Sequence, residues 1–409
     1  MTLTEQEPVT QEPDGTAERA RIRRGVTYAL LVFLAVRVGL TLVAMIGIGI
    51  IPHTHTYRPV SVPGWPAPAF GTGPHVLFTS WERFDALWFL RIAAGGYASG
   101  DGSAAFFPVY PLLIRAVSWM FGGHPFAASL VVSNACFAGS LVVLYFLTAS
   151  ELSESAARKA VVYLAVFPTA FFFLAPYSES PFLLATLASF WGARRGRWWL
   201  AGLCGALAAA TRSIGVLMVP ALAIEALHQW RRPENDRERR PLWPKLAWSA
   251  SAGLGLLAYL LYWQARGGGI LAPLHQEHTW ERVASTPWHA LNDATRFAFA
   301  HIGGTFSGYY QLDWLVSIPC FLIAIYAFFR FRPAFGFYAC ASIVVPLCFI
   351  FPGRPLLSVP RFLAVVFPIH WGLADLAERR WIPHDLVVAV SATLLGIFTA
   401  LFVSWYYVF

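Results

Sequence analysis

Charge is what this sequence has least of. Only 13% of its 409 residues are charged, against roughly 25% in a soluble domain. Hydrophobic residues make up 57% and mean hydropathy is +0.55. These values exclude an ordinary soluble enzyme and point to an integral membrane protein. Cysteine is scarce too. Cys136, Cys204, Cys320, Cys340 and Cys348 all fall in apolar stretches with no CxxC spacing, so they read as packing residues. P-loop, GxSxG and HExxH signatures are absent, as is any repeat of 20–50 residues. No matched pair of interrupted apolar segments announces an inverted-repeat transporter. The net charge of +8 sits largely in short clusters beside apolar runs. That pattern anchors helices in a bilayer and calls for no nucleic-acid partner.

What is present is a series of apolar runs. Residues 1–24 are polar, acidic at first and then basic ("RARIRR"), with no apolar stretch near Met1. They are expected to form a disordered cytoplasmic tail rather than a cleaved signal. Residues 25–409 are expected to form a single transmembrane domain. Its first run, 26–51, is long enough to span. Others lie near 125–149, 160–176, 180–193, 246–264, 312–329, 334–351, 361–377 and 385–409. Arg-rich clusters at 194–197, 231–245, 330–332 and 378–380 alternate with two long connections, 52–124 and 266–311, that are poor in basic residues. The positive-inside rule puts the clusters in the cytoplasm and the connections outside. Residues 198–230 lie between two cytoplasmic clusters, so they must cross an even number of times. The stretch is short for two full spans of about 20 residues each. It is expected to form two short helices broken at "TRSIG" (211–215), with Arg212 at the turn. The total is about eleven spanning helices, with the N-terminus inside and the C-terminus outside.

This arrangement carries four polar features to the outer side: Asp85, the "PYSES" turn at 176–180, Arg212, and "VPRF" at 359–362. Polar groups gathered on one face of so apolar a chain have the pattern of a site. In "SWERFDALWFLRIAAGGY" residues 81–94 are predicted to form an interfacial helix, with Glu82 and Asp85 on one face and "GGY" ending it. A surface helix with solvated charges would fit the same pattern. In "PYSES", Ser178 or Ser180 could cap a helix and Glu179 suits its positive end; alternatively Tyr177 and Glu179 hold a sugar. Arg212, inside an apolar stretch, needs either an interface to reach or an anion such as phosphate. Arg361 follows Pro360 at a helix start, where an anion could also bind, and Arg354 is a weaker companion. His53 and His55, or His275 and His278, are spaced as metal ligands could be. No acid cluster matches them, so no metal centre is expected.

These segments, in this order, resemble the GPI mannosyltransferase II (PIG-V-like) family of membrane glycosyltransferases with the GT-C fold. The matching stretches are "RFDALWFLRIAAGGY…AAFFPVYPLLIR", "FPTAFFFLAPYSESPF", "AATRSIGVL" and "VPRFLAVVFPIHWGLA". The resemblance implies transfer of mannose from a polyprenyl-phosphate-mannose donor at the outer face, with no further cofactor. The acceptor would be a glycan, glycolipid or protein. The Ala-, Arg- and Gly-rich composition suggests a bacterial member, in the plasma membrane. Family members often carry His-Trp-Asp where this chain has Arg83-Phe84-Asp85, and many have paired acids where Asp85 has only Glu82 nearby. The expected reaction is an inverting transfer. Asp85 takes the acceptor proton, Arg212 and Arg361 stabilise the departing phosphate, and Glu82, Tyr177 and Glu179 orient the sugar or acceptor. A transporter or flippase of lipid-linked sugars would use the same arginines without a base, and a non-catalytic envelope subunit is a third reading. Mannose rests on the resemblance alone; glucose or arabinose donors would need the same clamp.

A cysteine placed in the 266–311 connection is expected to react with a membrane-impermeant thiol reagent from outside the cell. Labelling only from the cytoplasmic side would overturn the orientation.

Overall fold

A computed structural model describes residues 15–52, 62–66, 72–236, 238–279, 281–300, 302–304 and 308–408. His53 and His55 fall outside these, as do residues 1–14. The first helix, α1 (Gly15–Ile50), begins ten residues before the expected end of the tail. Its opening "GTAERARIRR" is rich in Ala, Glu and Arg, all strong helix formers. Glu18 lies in the first turn, and Arg21 Nε reaches Glu154 Oε1 at 2.5 Å. Residues 15–24 are therefore helical, not disordered.

Three short helices follow in the first long connection: α2 (Val76–Thr79), α3 (Asp85–Gly95) and α4 (Val109–Ser118). The bundle continues with α5 (Pro125–Glu151), α6 (Glu154–Ala165), α7 (Glu179–Arg194), α8 (Trp198–Ala209), α9 (Met218–Arg231), α10 (Leu242–Ser251) and α11 (Leu254–Ala265). The second connection holds α12 (Ala272–Thr279), strand β1 (Val283–Ala284) and α13 (Pro287–Ala300). Then come α14 (Gly308–Arg330), α15 (Pro333–Leu347), β2 (Phe349–Ile350), α16 (Val359–Ala364), α17 (Phe367–Glu378) and α18 (His384–Val403). β1 and β2 pair antiparallel, Val283 with Ile350, and so tie the second connection to the segment after α15.

Among the described residues, six helical stretches are long and apolar enough to cross a membrane: Thr16–Ile50, Pro125–Glu151, Ser213–Arg231, Leu242–Ala265, Gly308–Arg330 and His384–Val403. The chain is an all-α, multi-pass membrane protein. The other crossings expected from the sequence fall on α6, α7, α8, α15 and the α16–α17 pair. Each of these helices is shorter than the roughly 20 residues of a full span. Two of them sit inside the bundle: α7 packs between α5 and α8, and α17 packs on α6 and α14.

Residues 198–231 form the broken pair. α8 stops at Ala209, a 3-10 turn runs Ser213–Leu217, and α9 follows. Close backbone approach explains two glycines here. A Cβ on Gly215 would lie 2.4 Å from the Ala208 carbonyl oxygen, and one on Gly255 of α11 would lie 1.8 Å from that of Ala206. Small residues let membrane helices pack this tightly, and the contact sets where α8 ends.

The far end of α7 corrects the reading of the Arg clusters as simple anchors. Arg194 donates to Glu151 at 2.5 Å and to Glu238 at 2.8 Å. Arg332 Nη1 donates to Glu225 at 3.2 Å and pairs also with Glu234. Two clusters thus turn one arginine each inward onto shared carboxylates. Along α7 this network lies ~22 Å from Glu179, at 1.5 Å per residue.

Gly255→Ala is expected to lower the apparent melting midpoint of the purified protein, through an overpacking cost of about 1–3 kcal/mol. An unchanged midpoint would contradict the α8–α11 contact.

Candidate active site

The loop that delivers Asp85 is built by its neighbours. Residues 81–84 are not helical; α3 starts at Asp85 itself. Phe84 adopts φ 51° and ψ −118°, a conformation that costs a bulky residue roughly 1–3 kcal/mol. Its ring is held by Phe402, Trp405 and Tyr407, at 5.7, 5.4 and 5.2 Å between centroids. Arg83 locks the same turn. Its Nε donates to the Val403 carbonyl at 3.0 Å, its Nη1 to those of Thr79 and Glu82, and its guanidinium lies 4.5 Å from the Trp405 ring. Arg91 is paired with Asp101, which also accepts from the Ser103 amide at 2.9 Å.

This geometry removes Glu82 from the face it was expected to share with Asp85. The turn at Phe84 breaks the helical register between them. The Glu82 carboxylate instead accepts from Trp65 Nε1 at 3.4 Å. Burial pushes its pKa above the ordinary value, and the Trp65 hydrogen bond opposes that rise.

At the start of α7, Ser178 and Ser180 do not cap the helix. Ser178 makes no side-chain cap, and Ser180 Oγ donates to the Phe173 carbonyl at 2.7 Å. Glu179 is the first residue of α7 and is fully buried. Its Oε1 accepts from Arg212 Nη1 at 2.6 Å and from Arg361 Nε. Its Oε2 is buried without a hydrogen bond among the described residues. Tyr177 gives its hydroxyl to the Arg83 carbonyl at 3.0 Å. What it offers the site is its ring face, 4.6 Å from the Arg361 guanidinium.

Arg212 stands at the break between α8 and α9, where its amide donates to the Ala208 carbonyl at 3.1 Å. Its side chain turns inward, onto Glu179, Ser178 Oγ at 3.2 Å and the Phe362 ring at 5.1 Å. Snorkelling to an interface is therefore not its solution. Arg361 opens α16. The carbonyl of Pro360 accepts from Thr169 Oγ1 at 2.9 Å, and Ser358 precedes it at φ 67°. Arg361 Nη1 donates to Asp85 Oδ2 at 2.6 Å.

Five of the six sequence-selected residues therefore meet: Asp85, Tyr177, Glu179, Arg212 and Arg361. Two carboxylates face two guanidiniums, a formal balance of zero, and each buried charge has an opposite partner. The two acids differ in access. The Glu179 side chain is 0% exposed and the Asp85 side chain 28%. Asp85 is the carboxylate that a ligand can reach. Arg354 is engaged elsewhere: Asp313 holds it with two contacts, at 2.6 and 2.8 Å. Two neighbours escaped the sequence reading. Arg282, beside β1, lies 6.0 Å from the Phe362 ring, and Tyr407 contacts Phe84. Arg282 lies outside the apolar runs, and Tyr407 lies within the last of them as one aromatic among several. Among the described residues no three His, Cys, Asp or Glu side chains gather as metal ligands would. The side chain of His278 lies outside the described residues.

The family model described as mannosyltransferase (PIG-V) matches residues 29–264, more than half of the chain. Among curated proteins none matches by sequence. Solved structures to which the chain is similar at low identity include the following two. One is ArnT from Cupriavidus metallidurans bound to undecaprenyl phosphate, with 15% identity and a TM-score of 0.47 over 93% of this chain and 76% of that one. The other is the Archaeoglobus fulgidus oligosaccharyltransferase in complex with zinc and sulfate, with 14% identity and a TM-score of 0.40 over 91% of this chain. The chain spans about half the length of that oligosaccharyltransferase, 53%.

Removing Glu179 leaves two buried guanidiniums short of a partner. Glu179→Gln is expected to destabilise the fold by about 3–5 kcal/mol, well beyond Asp85→Asn at the more exposed carboxylate. Comparing melting midpoints of the two variants checks this; equal shifts would contradict the assigned burial.

Proposed function

The chain belongs to the mannosyltransferase (PIG-V) family, and from that premise we propose that it transfers mannose from a polyprenyl-phosphate-mannose donor. The GT-C fold goes with the family. The acceptor is a hydroxyl of a glycan, glycolipid or protein. The observation that carries the reading is the reach of one carboxylate: Asp85 presents one oxygen to Arg361 at 2.6 Å, and its Oδ1 makes no hydrogen bond among the described residues.

The acceptor oxygen attacks the anomeric carbon while the bond from that carbon to the phosphate oxygen breaks. Configuration inverts. Asp85 takes the acceptor proton through its free oxygen. The departing lipid phosphate gains negative charge, and Arg361 and Arg212 stabilise it where water is excluded. Arg361 is suited to this because its two ends are held differently. Nε stays with buried Glu179, while Nη1 exchanges Asp85 for phosphate, a match for the planar fork. Glu179 then acts as the fixed counter-charge that keeps both arginines aimed, and the ring of Tyr177 supports Arg361 from below. Glu82 takes no part, because it lies before the Phe84 turn. The Arg clusters support a reaction at the extracytoplasmic face, and the Ala-, Arg- and Gly-rich composition supports a bacterial plasma membrane, with a donor already dissolved in the bilayer. No metal step is needed in this scheme.

With purified protein and synthetic polyprenyl-phosphate-mannose, Asp85→Asn is expected to lower kcat by about 10²–10⁴. Glu82→Gln should stay within about twofold, as for a residue that touches neither substrate nor base. Undiminished transfer by Asp85→Asn would sink the base assignment. Lipid-linked sugar flipping without transfer would make the protein a transporter.

A further inference from the structure

Residues 404–408 follow α18 and pack against Arg83 and Phe84, the two residues before Asp85. Both flanks of this stretch are tied down. Ser404 Oγ donates to the Gly47 carbonyl at 3.4 Å and the Tyr406 hydroxyl to that of Pro52 at 3.2 Å. Trp405 lies under the Arg83 guanidinium. Arg354, itself gripped by Asp313, donates to the Val408 carbonyl at 2.6 Å and to that of Tyr407 at 3.4 Å. The backbone around Tyr407 is thus clamped, and its ring is set against Phe84, next to Asp85.

The hydroxyl of Tyr407 is treated differently. It makes no hydrogen bond among the described residues, and the side chain is half-buried rather than sealed. The Tyr407 ring lies 5.2 Å from that of Phe84, the residue before Asp85, and besides burial the charges of Asp85, Arg361, Arg282 and Arg354 bear on the hydroxyl. Compare Tyr177, whose ring lies under Arg361 and whose hydroxyl is used up by the Arg83 carbonyl. Of the two tyrosines facing this ion pair, one is a structural strut and the other keeps a donor and acceptor in hand. A rigid ring on a clamped backbone holds such a group in place at little entropic cost on binding.

We propose that Tyr407 is a sugar-contacting residue, its hydroxyl hydrogen-bonding one hydroxyl of the transferred sugar as that sugar lies beside Asp85 and Arg361. The assignment rests on the transfer reading above. It makes Tyr407 a specificity residue, because a site built to pair a substrate hydroxyl discriminates against donors that lack it.

The test compares wild type with Tyr407→Phe on polyprenyl-phosphate-mannose and on a set of donors each missing one sugar hydroxyl. The variant is expected to keep the wild-type melting midpoint and lose about tenfold in kcat/KM on the full donor, the size of one hydrogen bond. On one deoxy donor the two proteins should become equal. An unchanged kcat/KM for the variant would overturn the proposal, as would a loss of the same size on every deoxy donor. If wild type transfers from no polyprenyl-phosphate sugar, it is the underlying reading that fails. Transfer by wild type with an unaffected Tyr407→Phe overturns this inference alone.

Discussion

Glu179 is a fully buried carboxylate in a chain that carries very little charge, and two guanidiniums converge on it. An ion taken out of water loses several kcal/mol of solvation, which only a well-placed counter-ion offsets. Glu179 comes from the start of α7, Arg212 from the break between α8 and α9, and Arg361 from the start of α16. None is satisfied unless all three arrive together. Arg361 then extends the constraint to a fourth stretch, by way of Asp85 on α3. The requirement that buried charge be paired thus fixes where four distant segments meet.

The same requirement separates the two acids. Glu179 cannot give up its partners without stranding them, so it holds the arginines in place. Among the described residues Asp85 is bound through one oxygen only, and it is partly exposed, so it can exchange partners. Its backbone is fixed all the same, because Phe84 is pressed into an unfavourable conformation by aromatic rings and Arg83 is bolted to carbonyls on either side of it. A carboxylate that is free at its tip and rigid at its root suits proton transfer, which needs access and orientation together.

Much of this was legible in the sequence for a simple reason. In so apolar a chain, a charge within or beside an apolar run stands out, and Asp85, Glu179, Arg212 and Arg361 all do. The helix break at 211–215 followed from counting crossings between Arg clusters. Other features depend on contacts that no local pattern encodes. The start of α3 at Asp85, and with it the separation of Glu82, follows from Phe84 docking on residues some 320 positions away. Ser178 and Ser180 looked like caps but find other partners. Residues 15–24 are helical because Ala, Glu and Arg favour helix as strongly as their polarity suggests a tail. Arg194 and Arg332 sit in clusters that the positive-inside rule explains without asking which member turns inward. Tyr407, one aromatic among many, has no signature beyond its position in the folded chain.

In the reading we propose, the Arg361–Glu179–Asp85 cluster receives the phosphate of a lipid-linked sugar. An experimental structure of the protein with bound polyprenyl phosphate tests it most directly. The phosphate is expected within hydrogen-bond distance of Arg361, with the Arg361–Asp85 contact opened and the Arg361–Glu179 contact kept. Phosphate bound instead at the Arg194–Arg332 network, with the Arg361–Asp85 pair intact, would contradict it.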